Sequence, residues 1–252
     1  MEDIRDDFII ECQKIREVSF GYMFVAENFV SEANNLQEQI ISAFKNPSEG
    51  FKEQITQWRS SLMGYKENRN MPLELFVTYF VQAWHGFLDN LFERMLDEHF
   101  AGLKTYKFRT MQIEFISFED TPNKLANNIK KRVWENFSNK IQSKDKLLIV
   151  TKALDVEFPE MLNINIRKHV TVRNLFQHNR GKLRERDLMF LPTDGFKYPY
   201  GDGEEQGDYY NPSQIRDYHM KVYKVGDTIK IDAVVLDQIY YDFVEAAKSL
   251  IV

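Results

Sequence analysis

The chain has 252 residues, 43% of them hydrophobic and 14% aromatic, which is ample for a packed core and excludes a disordered polymer. Its single cysteine, Cys12, excludes an intrachain disulfide and a cysteine-based zinc site. The formal charge of −5 argues against indiscriminate nucleic-acid binding.

Residues 3–44 place Phe8, Cys12, Ile15, Tyr22, Phe29, Leu36, Ile40 and Phe44 at or near helical spacing without a proline, predicting a helix. Gly21 is read there as a break or a close helix crossing. Met1 to Asp7 is acidic with no apolar run behind it, so no secretory signal is expected. No stretch approaches the roughly 20 apolar residues of a membrane span, and a cytoplasmic location with no membrane partner is the expectation. A turn at Asn46 to Gly50 leads to a second helix with Ile55, Trp58 and Leu62 inward.

The longest periodic pattern follows. Pro72 suits a first helical turn, and Leu73, Phe76, Val77, Phe80, Val81, Trp84, Leu88, Leu91, Phe92, Met95 and Leu96 repeat at three and four. This stripe is read as core. Residues 104–120 are ambiguous, with Tyr106, Phe108, Ile113, Phe115 and Phe118 fitting one or two short strands. A helix is predicted over 123–142, with Leu125, Ile129, Val133, Phe137 and Ile141 inward, and a short one over 144–154. Phe158-Pro159-Glu160 opens the next, with Ile164, Ile166, Val170 and Leu175 as buried candidates. Residues 192–212 read as a long Gly/Pro loop whose four tyrosines could stack on bases, although its acidic residues disfavour backbone contact. His219 to Val225, a Gly226-Asp227 turn and Thr228 to Asp232 read as a β-hairpin. The last helix is predicted from Ala233 to Leu250, with Leu236, Ile239, Tyr240, Phe243, Ala247 and Leu250 inward.

Charge is uneven. Residues 163–187 and 122–146 each carry seven Lys/Arg and a net +5, leaving −15 on the rest of the chain. Two basic segments on an acidic body suit a local polyanion site; solvated helix faces are the alternative, with better standing for 122–146.

Within the first of these segments, Arg173, Asn174 and His178 put a guanidinium, a carboxamide and an imidazole within six residues. Asn179-Arg180-Gly181 reads as a helix terminator, which sets His178 in a last turn whose carbonyls favour its charged form. Arg173 offers a fixed charge and a planar fork suited to phosphate, and a nearby group titrating near neutrality could move protons. Five residues on an ideal helix stand about 140° apart, so a shared face requires a widened last turn or a long reach by Arg173. The alternative is that Arg173 pairs with Asp89 or Glu93 and His178 is only a cap.

This stretch resembles the signature of the HEPN superfamily (higher eukaryote and prokaryote nucleotide-binding domains). That motif is an Arg, a polar residue that is often Asn, three residues and a His, and the "RN…HN.G" ending is similar too. The resemblance covers about residues 71–252, including the long helix "YFVQAWHGFLDNLFERML". It implies a mainly α fold with an antiparallel HEPN-like bundle over 69–252; the residue pattern adds a helical extension over 1–68, a cap or an interface outside the resemblance, and the small C-terminal β-hairpin. It implies a homodimer whose two motifs face one cleft across a two-fold axis. The activity implied is metal-independent endoribonuclease cleavage by 2′-hydroxyl transesterification, leaving a 2′,3′-cyclic phosphate, with no cofactor and no metal. In that reading Arg173, Asn174 and His178 are catalytic, Arg180 and Lys182 contact the RNA, and a toxin–antitoxin, abortive-infection or phage-defence setting allows an antitoxin or regulatory partner. One branch of the family has a Tyr two residues after the His; here Arg180 stands there. The alternative function is a non-catalytic module binding RNA or a protein.

Other signals are weaker. His85 and Asp89, four apart, could share a metal or support the site, but a polar helix edge is the plainer reading. His99 lies too far along to join them, His169 is expected to face solvent, and His219 has no evident partner.

Overall fold

The computed structural model describes residues 1–43, 70–108, 122–140, 143–184, 189–192 and 220–251, and over these the chain is mainly helical. The expected helix around Trp58, the turn at 46–50, residues 109–120, the loop from 193 to 212 and His219 lie outside the described residues. Residues 104–108 are not a strand.

The elements are α1 (Glu2–Ala43), α2 (Asn70–Phe100), α3 (Pro122–Glu135), a π turn (Asn136–Lys140), α4 (Ser143–Leu154), α5 (Glu160–Asn179), β1 (Met189–Pro192), β2 (Met220–Tyr223) and α6 (Ala233–Leu250). Two packing units share them: residues 1–13, 78–174 and 239–252 form one, and 14–77 with 175–238 the other.

In the first unit the α2 stripe is core. Val81, Trp84, Leu88, Leu91, Phe92, Met95 and Leu96 are all buried. Phe8 of α1 stacks on Phe87 at 4.7 Å, Trp84 meets Phe243 of α6 at 5.4 Å, and Phe92 stacks on Phe137 at 3.8 Å. The helix expected over 123–142 changes character at Asn136, where a π turn turns Phe137 into the core. Widened turns of this kind commonly serve a functional site.

In the second unit α1 runs through Gly21 without a break, and a Cβ there would touch nothing within 4 Å, so Gly21 is neither a hinge nor a close crossing. Arg16 Nε donates to Asp237 Oδ1 at 2.6 Å and its guanidinium lies over Phe20. The expected C-terminal hairpin is corrected. Its turn exists, with Gly226 at φ +96°, but β2 pairs antiparallel with β1, Met189 opposite Tyr223. Thr228 instead bridges to Lys182, and Ile229 N donates to Gly181 O at 2.9 Å. The returning segment therefore finds its backbone partners beyond α5, where Ile229 and Ile231 are also buried. A sequence window shows a turn, not which strand satisfies it.

The start of α6 is capped as its sequence dictates. Asp232 Oδ1 accepts from Val235 N at 2.9 Å, satisfying an amide that has no partner within the helix.

Candidate functional site

Helix α5 carries the motif. Residues up to Asn174 belong to the first unit and those from Leu175 to the second. Its inward row is Ile166, His169, Val172, Leu175 and Phe176, all buried. Ile164, expected inside, is 49% exposed, because it falls off this three-and-four row.

The helix stays α-helical to Asn179, so no widening within it brings Arg173 and His178 to one face. It ends as the sequence indicates. Arg180 (φ 51°) and Gly181 (φ +74°) are both left-handed, and Gly181 N donates to Leu175 O at 3.0 Å. Gly181 is required on two counts, since a Cβ there would also sit 2.6 Å from the Phe176 ring.

Arg173 is half-buried and donates from Nη1 to Asn174 Oδ1 at 2.9 Å. Asn174 and His178 are exposed, as are Arg180 and Lys182, the latter held by its backbone bridge to Thr228. Burial lowers the pKa of Arg173 from its ordinary value, yet a guanidinium remains charged at neutral pH.

Around Arg173 the first unit assembles side chains that the sequence did not connect. Lys146 of α4 is 5% exposed, and its Nζ donates to Asp89 Oδ1 at 2.7 Å and to the Ser138 carbonyl of the π turn at 3.0 Å. Asp89 Oδ2 accepts from Ser138 Oγ at 3.2 Å. One helical turn before Asp89, half-buried His85 feels the charges of both Arg173 and Lys146. Burial first, then those two cations, lower its pKa to about 4 against the opposing pull of Asp89, so the imidazole is neutral at pH 7. The Asp89 carboxylate thus takes a lysine and a serine, partners that could not be read from α2 alone.

His169 is a correction. It does not face solvent: it is 1% exposed, and Nε2 lies 2.6 Å from Asp242 Oδ2 of α6. Asn165 Nδ2 donates to the other oxygen at 3.1 Å. The three-residue step from Ile166 and to Val172 was the available signal, masked by the basic pair Arg167-Lys168. His99 is occupied locally, its Nδ1 accepting from Tyr106 N at 3.2 Å.

Among the described residues no group of three or more His, Cys, Asp or Glu is placed to hold a metal ion. No described helix is long and apolar enough to cross a membrane. No family model, curated protein or solved structure matches the chain.

Proposed function

We propose that the chain is a metal-independent endoribonuclease of HEPN type that acts as a homodimer. One observation carries the reading. A partly exposed guanidinium, bonded to the carboxamide beside it, sits on the same helix as an exposed imidazole placed in the last turn before a left-handed exit. Arg173 holds the scissile phosphate and offsets its developing charge, Asn174 orients the guanidinium, and His178 transfers the proton. The 2′-oxygen attacks phosphorus as the 5′-oxygen leaves, giving a 2′,3′-cyclic phosphate and a 5′-hydroxyl.

The regular α5 helix gives a physical reason for the dimer. Side chains five residues apart diverge by about 140°, so one copy turns only one of the pair squarely to a given phosphate. A two-fold partner supplies the other from the same surface. Arg180 and Lys182, both exposed, extend the positive charge along the RNA backbone. The proposed setting is a cytoplasmic toxin or phage-defence effector, silenced by an antitoxin or regulatory protein.

The half-burial of Arg173 beside His85 favours a second reading, a non-catalytic module in which the arginine supports packing and the surface binds RNA or a protein. Short RNAs incubated in EDTA with wild type, Arg173→Ala and His178→Ala separate the two. Cleavage by wild type alone supports the nuclease. RNA bound without cleavage by all three supports the module.

A further inference from the structure

The outward face of α5 carries a row of its own. Arg167, Thr171 and Asn174 follow at four and three residues, all are exposed, and all belong to the first unit. On a regular helix Arg167 and Asn174 then stand within about 20° of one line and about 10 Å apart along it. The Arg173 guanidinium reaches this line, since its Nη1 donates to Asn174 Oδ1 at 2.9 Å. Thr171 lies between, its hydroxyl turned back onto the Arg167 carbonyl at 2.8 Å, and it is short enough to leave the path open.

Arg167 is held differently from arginines elsewhere in the described residues. Arg5, Arg16 and Arg94 each meet a carboxylate, at 2.9, 2.6 and 3.0 Å. Arg167 Nε instead donates to the neutral Asn163 Oδ1 at 3.1 Å, and no carboxylate of the described residues pairs with it. The carboxamide fixes the guanidinium by one edge and leaves its charge uncancelled, with the terminal nitrogens still able to donate. From Met161 to Asn174 the helix carries Arg167, Lys168 and Arg173 and no acid, in a chain of net charge −5. Such a local excess on an acidic body attracts a polyanion to this face.

We propose that Arg167 binds a second phosphate of the RNA strand, distinct from the one held at Arg173, so that the strand runs along the outer face of α5 toward Asn174. The inference rests on the ribonuclease reading for the phosphate at Arg173, and adds a binding residue that takes no part in cleavage. The two guanidiniums are tethered apart. Asn163 and Asn174, which hold them, lie about 16 Å from each other along the helix, more than one phosphate spans. A strand gripped twice is held in register on the site, so Arg167 contributes to affinity and leaves the chemical step alone.

The test uses the full-length protein in EDTA and an RNA of about eight nucleotides made uncleavable by 2′-O-methylation. Affinity is read by fluorescence anisotropy, with one linkage at a time replaced by an uncharged methylphosphonate. In wild type two separate linkages should weaken binding when neutralised, each about tenfold, the size of one charge-assisted contact. Arg167→Gln should bind the unmodified RNA about tenfold more weakly and flatten the log–log salt dependence by about 0.7. It should become indifferent to one of the two linkages, and Arg173→Gln to the other. Arg167→Lys, which keeps the charge but not the fork, should recover part of the loss. Wild-type affinity and salt dependence in Arg167→Gln overturn the proposal, as does lost sensitivity at the same linkage in both variants.

Cleavage of the same RNA without methylation separates this contact from the nuclease reading. In Arg167→Gln, a KM raised about tenfold with kcat within about twofold of wild type supports a binding residue apart from the reacting phosphate. An unchanged KM, with or without a fall in kcat, overturns it and leaves the nuclease reading standing. A wild-type protein that cuts nothing yet keeps the two-linkage pattern removes the nuclease reading and keeps the second phosphate contact. A wild-type protein that binds no RNA overturns both.

Discussion

His169 Nε2 and Asp242 Oδ2 stand 2.6 Å apart, with both side chains sealed inside the first unit at 1% and 6% exposure. Burial lowers the pKa of His169, and the hydrogen bond to Asp242 opposes that shift without reversing it. The hydrogen-bond network therefore assigns a neutral ring whose Nε2–H donates to the carboxylate. Among the described residues Nδ1 is buried with no hydrogen-bond partner, which suits the bare lone pair better than an enclosed donor.

This pair predicts an intolerant core position. Asp242→Ala removes the acceptor of His169 and of Asn165 together, and should cost about 2–4 kcal/mol, as stranding a buried and a half-buried donor does. Asp242→Asn keeps an acceptor oxygen and should lose less. Urea unfolding of the three proteins, compared at constant m-value, checks the order.

Acid sensitivity follows from the two depressed imidazoles. Both His85 and His169 have folded pKa values below the free histidine value, so the unfolded chain binds more protons at mildly acid pH. Stability is therefore lost as the pH falls below about 6.5, the ordinary histidine pKa. For His85 the loss is complete near its folded value of about 4. His85→Gln should flatten part of this dependence, by at most about 3 kcal/mol. Thermal melts of wild type and variant at pH 7 and pH 5 measure it; equal losses in both would contradict the assignment.

Removing Lys146 strands a partly buried carboxylate. Lys146→Met leaves Asp89 with Ser138 as its hydrogen-bond partner among the described residues, and Asp89 is 21% exposed, so the cost should be about 2 kcal/mol, below the range for a fully buried pair. Lys146→Met with Asp89→Leu should recover much of it, the pattern of a coupled pair. A double-mutant cycle by chemical unfolding reads the coupling.

Gly181→Ala tests the exit of α5. Its φ of +74° disfavours any Cβ, and the new atom would press on a buried Phe176 ring at 2.6 Å. The expected loss is about 2 kcal/mol, a left-handed penalty plus a steric one. Asn at this position tolerates the backbone angle but keeps the ring contact, so it should recover only part of the loss.

The helices were legible where one periodicity ruled the whole segment. The α2 stripe, the Ala233–Leu250 span of α6 and the Asn179-Arg180-Gly181 exit could each be read from neighbouring residues, because spacing and left-handed glycines are local matters. The pairing of β2 with β1 could not, since its partner lies some thirty residues away and no window contains both. The same limit applied to the polar clusters. Lys146 meets Asp89 across 57 positions and His169 meets Asp242 across 73, and each side chain alone reads as an ordinary solvated charge. The motif residues Arg173, Asn174 and His178 stood out in sequence, whereas the burial and the Arg173 and Lys146 charges that depress the His85 pKa come from segments far from it in the chain.

The central claim is that Arg173 serves phosphodiester cleavage through the neighbouring 2′-hydroxyl. Mass spectrometry of the fragments from a defined RNA, cut in EDTA by wild type and Arg173→Ala, tests it most directly. The account predicts fragments ending in 2′,3′-cyclic phosphate from wild type, none from the variant, and no cut at a linkage whose 5′-side sugar is deoxyribose. An RNA left whole by wild type, fragments ending in a 3′-hydroxyl, or the same fragments from Arg173→Ala would contradict it.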